Sequence, residues 1–190
     1  LPMHVYLVRH GHVDYGRAPD RYAAGLSEEG RAQSQRVAAL CREWDIQLLV
    51  ASTMVRAEQT ADAIQALLPD IVRWDLDDLQ EVGIEEQAID PMMHPHAEHW
   101  SEEQRALAYE RTWTRVAATI ARMEVYTAAY GIERVAVVSH QAVLNLMLLY
   151  WLGLDWRVAD STHFALDWCA TAKVVVAEGL TRIEWVNRLS

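Results

Sequence analysis

Lysine is nearly missing from this chain. Lys173 stands alone against sixteen arginines in 190 residues, so an arginine carries no meaning here merely by being one. Cysteine is as sparse: Cys41 and Cys169 cannot build a disulfide framework or a metal cluster. Cys41, at helical spacing among apolar residues, reads as a small core residue, and a reducing, cytoplasmic setting fits. Positive charge is in deficit. A net charge of −10 disfavours broad contact with nucleic acid or an anionic membrane surface. Long apolar runs are missing too. The longest, residues 142–154, is interrupted by Asn145 and falls short of a membrane span. Val5 to Val8 is too short for a secretory signal, and Leu1-Pro2 ahead of Met3 reads as a remnant of the chain's preparation. No internal repeat or low-complexity tract occurs.

What is there is an ordinary globular composition, 52% hydrophobic and 23% charged, enough for one domain over 1–190 with a lid or insertion at about 84–104. Strand patterns alternate with helix patterns. Val5 to Val8 is a buried strand, and Ser27 caps a helix bearing Val37, Leu40, Cys41 and Trp44 on one face. Ile46 to Ala51 is a second strand. Ser52 or Thr53 is expected to cap the next helix, with Ala57, Ala61, Ile64 and Leu68 along one side. Ile71 to Leu76 is a third strand, leading into an acidic, irregular segment from Asp77 to Trp100. A long helix over about 101–130 presents Tyr109, Trp113, Val116, Ile120 and Met123 inward and stops at Gly131. Arg134 to Ser139 is a buried strand, Gln141 to Trp151 an apolar helix, and 172–177 and 181–186 a hairpin. This pattern predicts an α/β fold: a mainly parallel sheet, helices on both faces, one antiparallel edge strand.

Three of the predicted strands end in the same kind of chemistry. Arg9-His10-Gly11, Ser52-Thr53 with Arg56 beyond, and Ser139-His140 all fall at carboxyl ends of strands, the edge where open α/β sheets bind ligands. Two guanidiniums, a second imidazole and the first turns of two helices suit a compact, multiply charged anion such as a phosphate group. Gly11, lacking a side chain, would let the strand end approach it closely. Cations around His10 should hold its imidazole neutral and nucleophilic near pH 7. It could then accept a phosphoryl group on nitrogen with the arginines, rather than a metal, stabilising the charge. The leaving alkoxide needs a proton, and Glu81, just past the third strand, is the candidate donor.

These segments resemble a known family. Leu-Val-Arg-His-Gly at 7–11, Gly-Leu-Ser-Glu-Glu-Gly-Arg-Ala-Gln at 25–33, Ser-Thr-Met-Val-Arg-Ala-Glu-Gln-Thr-Ala at 52–61, Leu-Gln-Glu-Val-Gly at 79–83 and Val-Val-Ser-His at 137–140 look like the histidine phosphatase superfamily. The resemblance covers nearly the whole chain in order. It implies the phosphoglycerate mutase-like fold, a three-layer α/β/α sandwich. It also implies His10 as phosphorylated nucleophile, Arg9, Arg56 and His140 as the phosphate pocket, and Glu81 as acid and then base. Three departures stand out: His12 where many members carry Glu, Gln141-Ala142 in place of glycines, and Ile84-Glu85-Glu86 where a Trp-Glu-Gly signature is common. The last keeps Glu85 as the alternative acid.

Further substrate contacts are assigned to Gly25, His12, Tyr15 and Gln141. Ser139 reads as a capping or packing residue, since no Gly-x-Ser-x-Gly elbow surrounds it. His94, His96 and His99 read as solvated or lid-lining rather than as a metal site, and His163 has no placement. The tryptophans read as core, Trp100 alternatively as a pocket wall. Asp77, Asp78, Glu85 and Glu86 read as solvated surface. The leading expectation is a metal-independent phosphomonoester hydrolase. It would need no cofactor, act on a small phosphorylated metabolite, touch neither nucleic acid nor membrane, and leave a homodimer open. A cofactor-dependent phosphoglycerate mutase and a non-catalytic phosphate-binding protein are the alternatives.

Overall fold

In the computed structural model, which describes residues 2–17, 20, 23–89, 92 and 97–190, one six-stranded sheet runs in the order β3-β2-β4-β1-β5-β6. The strands are β1 (Met3–Arg9), β2 (Leu48–Ser52), β3 (Val72–Leu76), β4 (Arg134–Ser139), β5 (Thr171–Ala177) and β6 (Leu180–Arg188). β1, β2, β3 and β4 are parallel. The antiparallel strand is β5, one place in from the edge, which β6 closes through a hairpin. Alternate residues of each central strand serve opposite faces. Val5, Leu7, Val50 and Val137 pack beneath α4 (Glu102–Tyr130) and α5 (Gln141–Trp151). Tyr6, Val8, Leu49 and Val138 pack beneath α1 (Glu28–Glu43) and α2 (Val55–Leu67). The result is the three-layer α/β/α sandwich.

Topology then fixes where a ligand can sit. From β1 the chain passes through α1 to β2 on one side; from β4 it passes through α5 to β5 on the other. The connections diverge between β1 and β4, and a crevice opens at the carboxyl ends of such a pair. Register brings the chemistry to one level. Arg9 lies opposite Ser139, Ala51 opposite Val138, and Ser52 opposite Leu76.

Local signals explain most element ends. Ser27 Oγ accepts from the Gly30 N–H at the start of α1. Ser101 and Gln104 form a reciprocal capping box on α4, which ends at left-handed Gly131. Two expectations fail. The cap of α2 is Met54, with no side-chain bond, because Ser52 still belongs to β2 and its hydroxyl is engaged elsewhere. The acidic segment is not irregular throughout. A short helix, α3 (Ile84–Ile89), forms there and buries Glu86, whose side chain is 5% exposed and 3.6 Å from Arg111, so Glu86 is not solvated. Trp100 is buried in the main core, its ring over Gly83, whose φ is +87°. No helix among the described residues is long and apolar enough to cross a membrane.

Candidate active site

His10 is the first residue beyond β1 and is 2% exposed. Its two ring nitrogens meet partners that can each play only one part. Nδ1 is 2.9 Å from the Gly11 carbonyl oxygen, which only accepts. Nε2 is 3.2 Å from Arg56 Nε, which only donates. The ring is therefore the neutral tautomer with hydrogen on Nδ1 and a lone pair on Nε2. Burial, and after it the charge of Arg56, push its pKa well below the ordinary histidine value; the Gly11 carbonyl opposes them and the Arg9 charge adds a lesser push downward.

Arg56, in the first turn of α2, is itself 1% exposed. Arg9 extends from the last position of β1, donating to the Leu166 carbonyl at 2.5 Å and lying 3.7 Å over the Trp168 ring. Trp168 also stands 5.1 Å from the His10 ring and 5.7 Å from His12. It is a wall of the site that spacing alone assigned to the core. The sequence signal for it was only its place three residues before β5, at the edge where the other motifs end.

His140 is the first residue beyond β4, fully buried, its ring 5.0 Å from that of His10 and its Nε2 2.9 Å from Ser52 Oγ. It precedes the first turn of α5, which has no side-chain cap. α2 also starts without one, whereas α1 and α4 are capped by serines. The two uncapped helix starts leave amide groups and positive dipole ends for an anion. The Gln141 side chain takes another part. Its amide donates to the Phe164 carbonyl at 2.6 Å and accepts from the Leu166 N–H at 2.8 Å. One turn on, Asn145 Oδ1 accepts from the Phe164 N–H. Together they pin the segment that presents Leu166 and Trp168; exposed His163 lies 3.4 Å from the Gln141 amide nitrogen.

Glu81 follows a helical turn over Asp77–Leu79. Its carboxylate accepts from the Val82 N–H at 3.0 Å. After burial, which lowers the Arg9 pKa, the Glu81 charge is the strongest influence holding it up. Glu81 thus acts electrostatically on the Arg9 guanidinium. Glu85 is half exposed and 3.9 Å from Arg115. Ser139 donates to the Leu79 carbonyl at 2.8 Å, a packing role.

The remaining candidates are more spread out. The Gly11 N–H donates to Thr60 Oγ1 at 3.1 Å. A Cβ on Gly11 would stand 2.5 Å from the Gly30 carbonyl oxygen, so its smallness serves the close approach of the segment after β1 to α1. His12 is held by Ser27, its Nδ1 2.8 Å from the hydroxyl. Tyr15 is exposed, with Arg56 5.9 Å above its ring. Gly25 sits against the Gln59 side chain of α2. His94 and His96 lie outside the described residues. His99 is exposed, 3.9 Å from Glu98, and among the described residues no three His, Cys, Asp or Glu groups gather as a metal ion requires.

A neutral imidazole facing a guanidinium, at the switch point of an open α/β sheet, defines a site for a compact anion. A family model for the histidine phosphatase superfamily (branch 1) matches residues 5–188, and the chain belongs to that superfamily. Among curated proteins, the mitochondrial serine/threonine-protein phosphatase Pgam5 of Drosophila ananassae is 36% identical over 176 residues, covering 87% of this chain and 57% of that protein. The chain thus spans little more than half of that relative. Among solved structures, the alpha-ribazole phosphatase from Shigella flexneri matches with TM-score 0.75 and 18% identity, covering 99% of this chain and 98% of that one. A mycobacterial glucosyl-3-phosphoglycerate phosphatase in complex with VO3 matches with TM-score 0.74 and 17% identity, over 98% and 99%. At such identities these two show the fold alone.

Proposed function

We propose that the protein is a metal-independent phosphomonoester hydrolase working through a phosphohistidine on His10, with a small phosphorylated metabolite as substrate. One observation carries the reading: the Gly11 carbonyl keeps hydrogen on Nδ1, so the lone pair is on Nε2, on the side where Arg56 stands. In the first step Nε2 bonds to phosphorus, the ester P–O bond breaks, and Glu81 gives its proton to the departing oxygen. The ring then carries positive charge, which the Gly11 carbonyl stabilises through Nδ1–H. In the second step the Glu81 carboxylate takes a proton from water, the hydroxide oxygen bonds to phosphorus, and the N–P bond breaks. Inorganic phosphate leaves and the lone pair returns to Nε2. Arg9 and Arg56 supply the charge stabilisation a metal ion would otherwise provide.

The test is turnover of p-nitrophenyl phosphate in EDTA by wild type and His10→Ala, followed by a screen of phosphorylated metabolites. Activity in EDTA that vanishes in His10→Ala is expected. Equal activity in the two proteins, or loss of wild-type activity on chelation, overturns the mechanism. A phosphoserine or phosphothreonine protein substrate is a second reading, favoured by the likeness to Pgam5. It wins if phosphopeptides have the higher kcat/KM, and dominant phosphoglycerate isomerisation would instead indicate a mutase.

A further inference from the structure

Four consecutive backbone carbonyls lead directly into Glu81, and side chains from elsewhere accept the task of holding all of them. From α4, Arg115 Nη1 donates to the carbonyls of Asp77 at 3.1 Å, Asp78 at 3.3 Å and Gln80 at 3.5 Å. The remaining carbonyl, of Leu79, is held by Ser139 at the end of β4. Arg115 is itself braced: its Nη2 donates to Thr112 Oγ1 at 2.9 Å, one turn back on the same helix. Its Nε faces the Glu85 carboxylate at 3.9 Å on the other side of Glu81. The two hydrogens of Nη1 are shared among the three carbonyls while Nη2 is anchored on Thr112, and this rigid planar anchoring is what a lysine ammonium lacks.

We infer that Arg115 is the positioning residue of the general acid: it fixes the 77–80 turn so that the Glu81 carboxylate meets the leaving oxygen, and it holds Glu85 away. Arg115 touches neither His10 nor the arginine cage in any of these contacts. This rests on the assignment of Glu81 above. Proton delivery is sharply sensitive to placement, whereas phosphoryl capture by His10 does not pass through this turn. Loss of Arg115 therefore injures substrates in proportion to their need for a proton.

The test compares kcat/KM on p-nitrophenyl phosphate, whose leaving group departs readily as the anion, and on benzyl phosphate, whose alkoxide does not. Wild type, R115M, R115K and E81Q are measured, with thermal melts beside them. R115M is expected to lose roughly tenfold more on benzyl than on p-nitrophenyl phosphate, E81Q to show a larger difference of the same kind, and R115K to fall between wild type and R115M. If E81Q discriminates and R115M loses equally on both substrates, or on neither, the role of Arg115 is overturned while that of Glu81 stands. If E81Q does not discriminate, the assignment of Glu81 falls and the inference with it. Should R115M fail to fold, R115K decides by the same comparison.

Discussion

Arg56 Nε and His10 Nε2 lie 3.2 Å apart, the guanidinium donating to the lone pair through which a histidine nucleophile would act. Both groups are buried, so neither can turn to solvent for another partner. Under the proposed mechanism, an arriving phosphate would draw the guanidinium onto its own oxygens and free the imidazole as the anion binds. Arg56→Lys keeps the charge but loses the planar fork. On p-nitrophenyl phosphate it is expected to lower kcat/KM by roughly a hundredfold or more, as the loss of a preorganised charge donor does. A loss under threefold would mean that Arg56 merely packs.

The depressed pKa of His10 has a stability consequence of defined sign. Burial, with Arg56 and Arg9, lowers it in the folded state, so below pH 6.5, where the unfolded histidine takes a proton, the unfolded chain binds more protons. Stability from this group is complete above about pH 6.5 and is lost as pH falls toward the folded pKa, by at most about 1.4 kcal/mol per pH unit. His10→Gln removes the effect. The melting-temperature advantage of wild type over that variant should shrink between pH 7 and pH 5; a constant difference would contradict a buried neutral imidazole.

The Arg9 guanidinium lies over the Trp168 ring, 3.7 Å from its centroid. Trp168→Ala is expected to raise KM for p-nitrophenyl phosphate by roughly five- to tenfold, the size of a cation–π contact of about 1 kcal/mol. Trp168→Phe should recover much of the loss. An unchanged KM in the alanine variant would leave Arg9 held by Leu166 alone.

Gly11 and Gly30 touch backbone to backbone. Because a methyl group on Gly11 would meet the Gly30 carbonyl oxygen at 2.5 Å, Gly11→Ala must push the segment after β1 away from α1. A destabilisation of roughly 1–3 kcal/mol is expected from such overpacking, read as a lower urea midpoint. Thr60→Val, which deprives the buried Gly11 N–H of its acceptor, is expected to cost a similar 1–3 kcal/mol. Wild-type midpoints in both variants would contradict the tight packing described.

Local order in this protein is written locally. The serine caps at 27 and 101, the stop at Gly131 and the bounds of β4 and α5 follow from caps, glycine and apolar period, each decided within a few residues. The strand-end motifs of Arg9-His10, Arg56 and Ser139-His140 were legible for the same reason, since a parallel sheet must bring such ends to one edge. What the tertiary structure alone decided are pairings across long stretches of chain. Arg9 reaches Leu166 and Trp168, Arg115 holds the turn before Glu81, and Gly11 meets Gly30. The Gln141 side chain is spent on the 164–166 segment, and Glu86 is covered by packing rather than water. Hydrophobic period and capping depend on near neighbours. Which side chain completes a distant backbone group depends on the final packing of layers, and no local pattern encodes it.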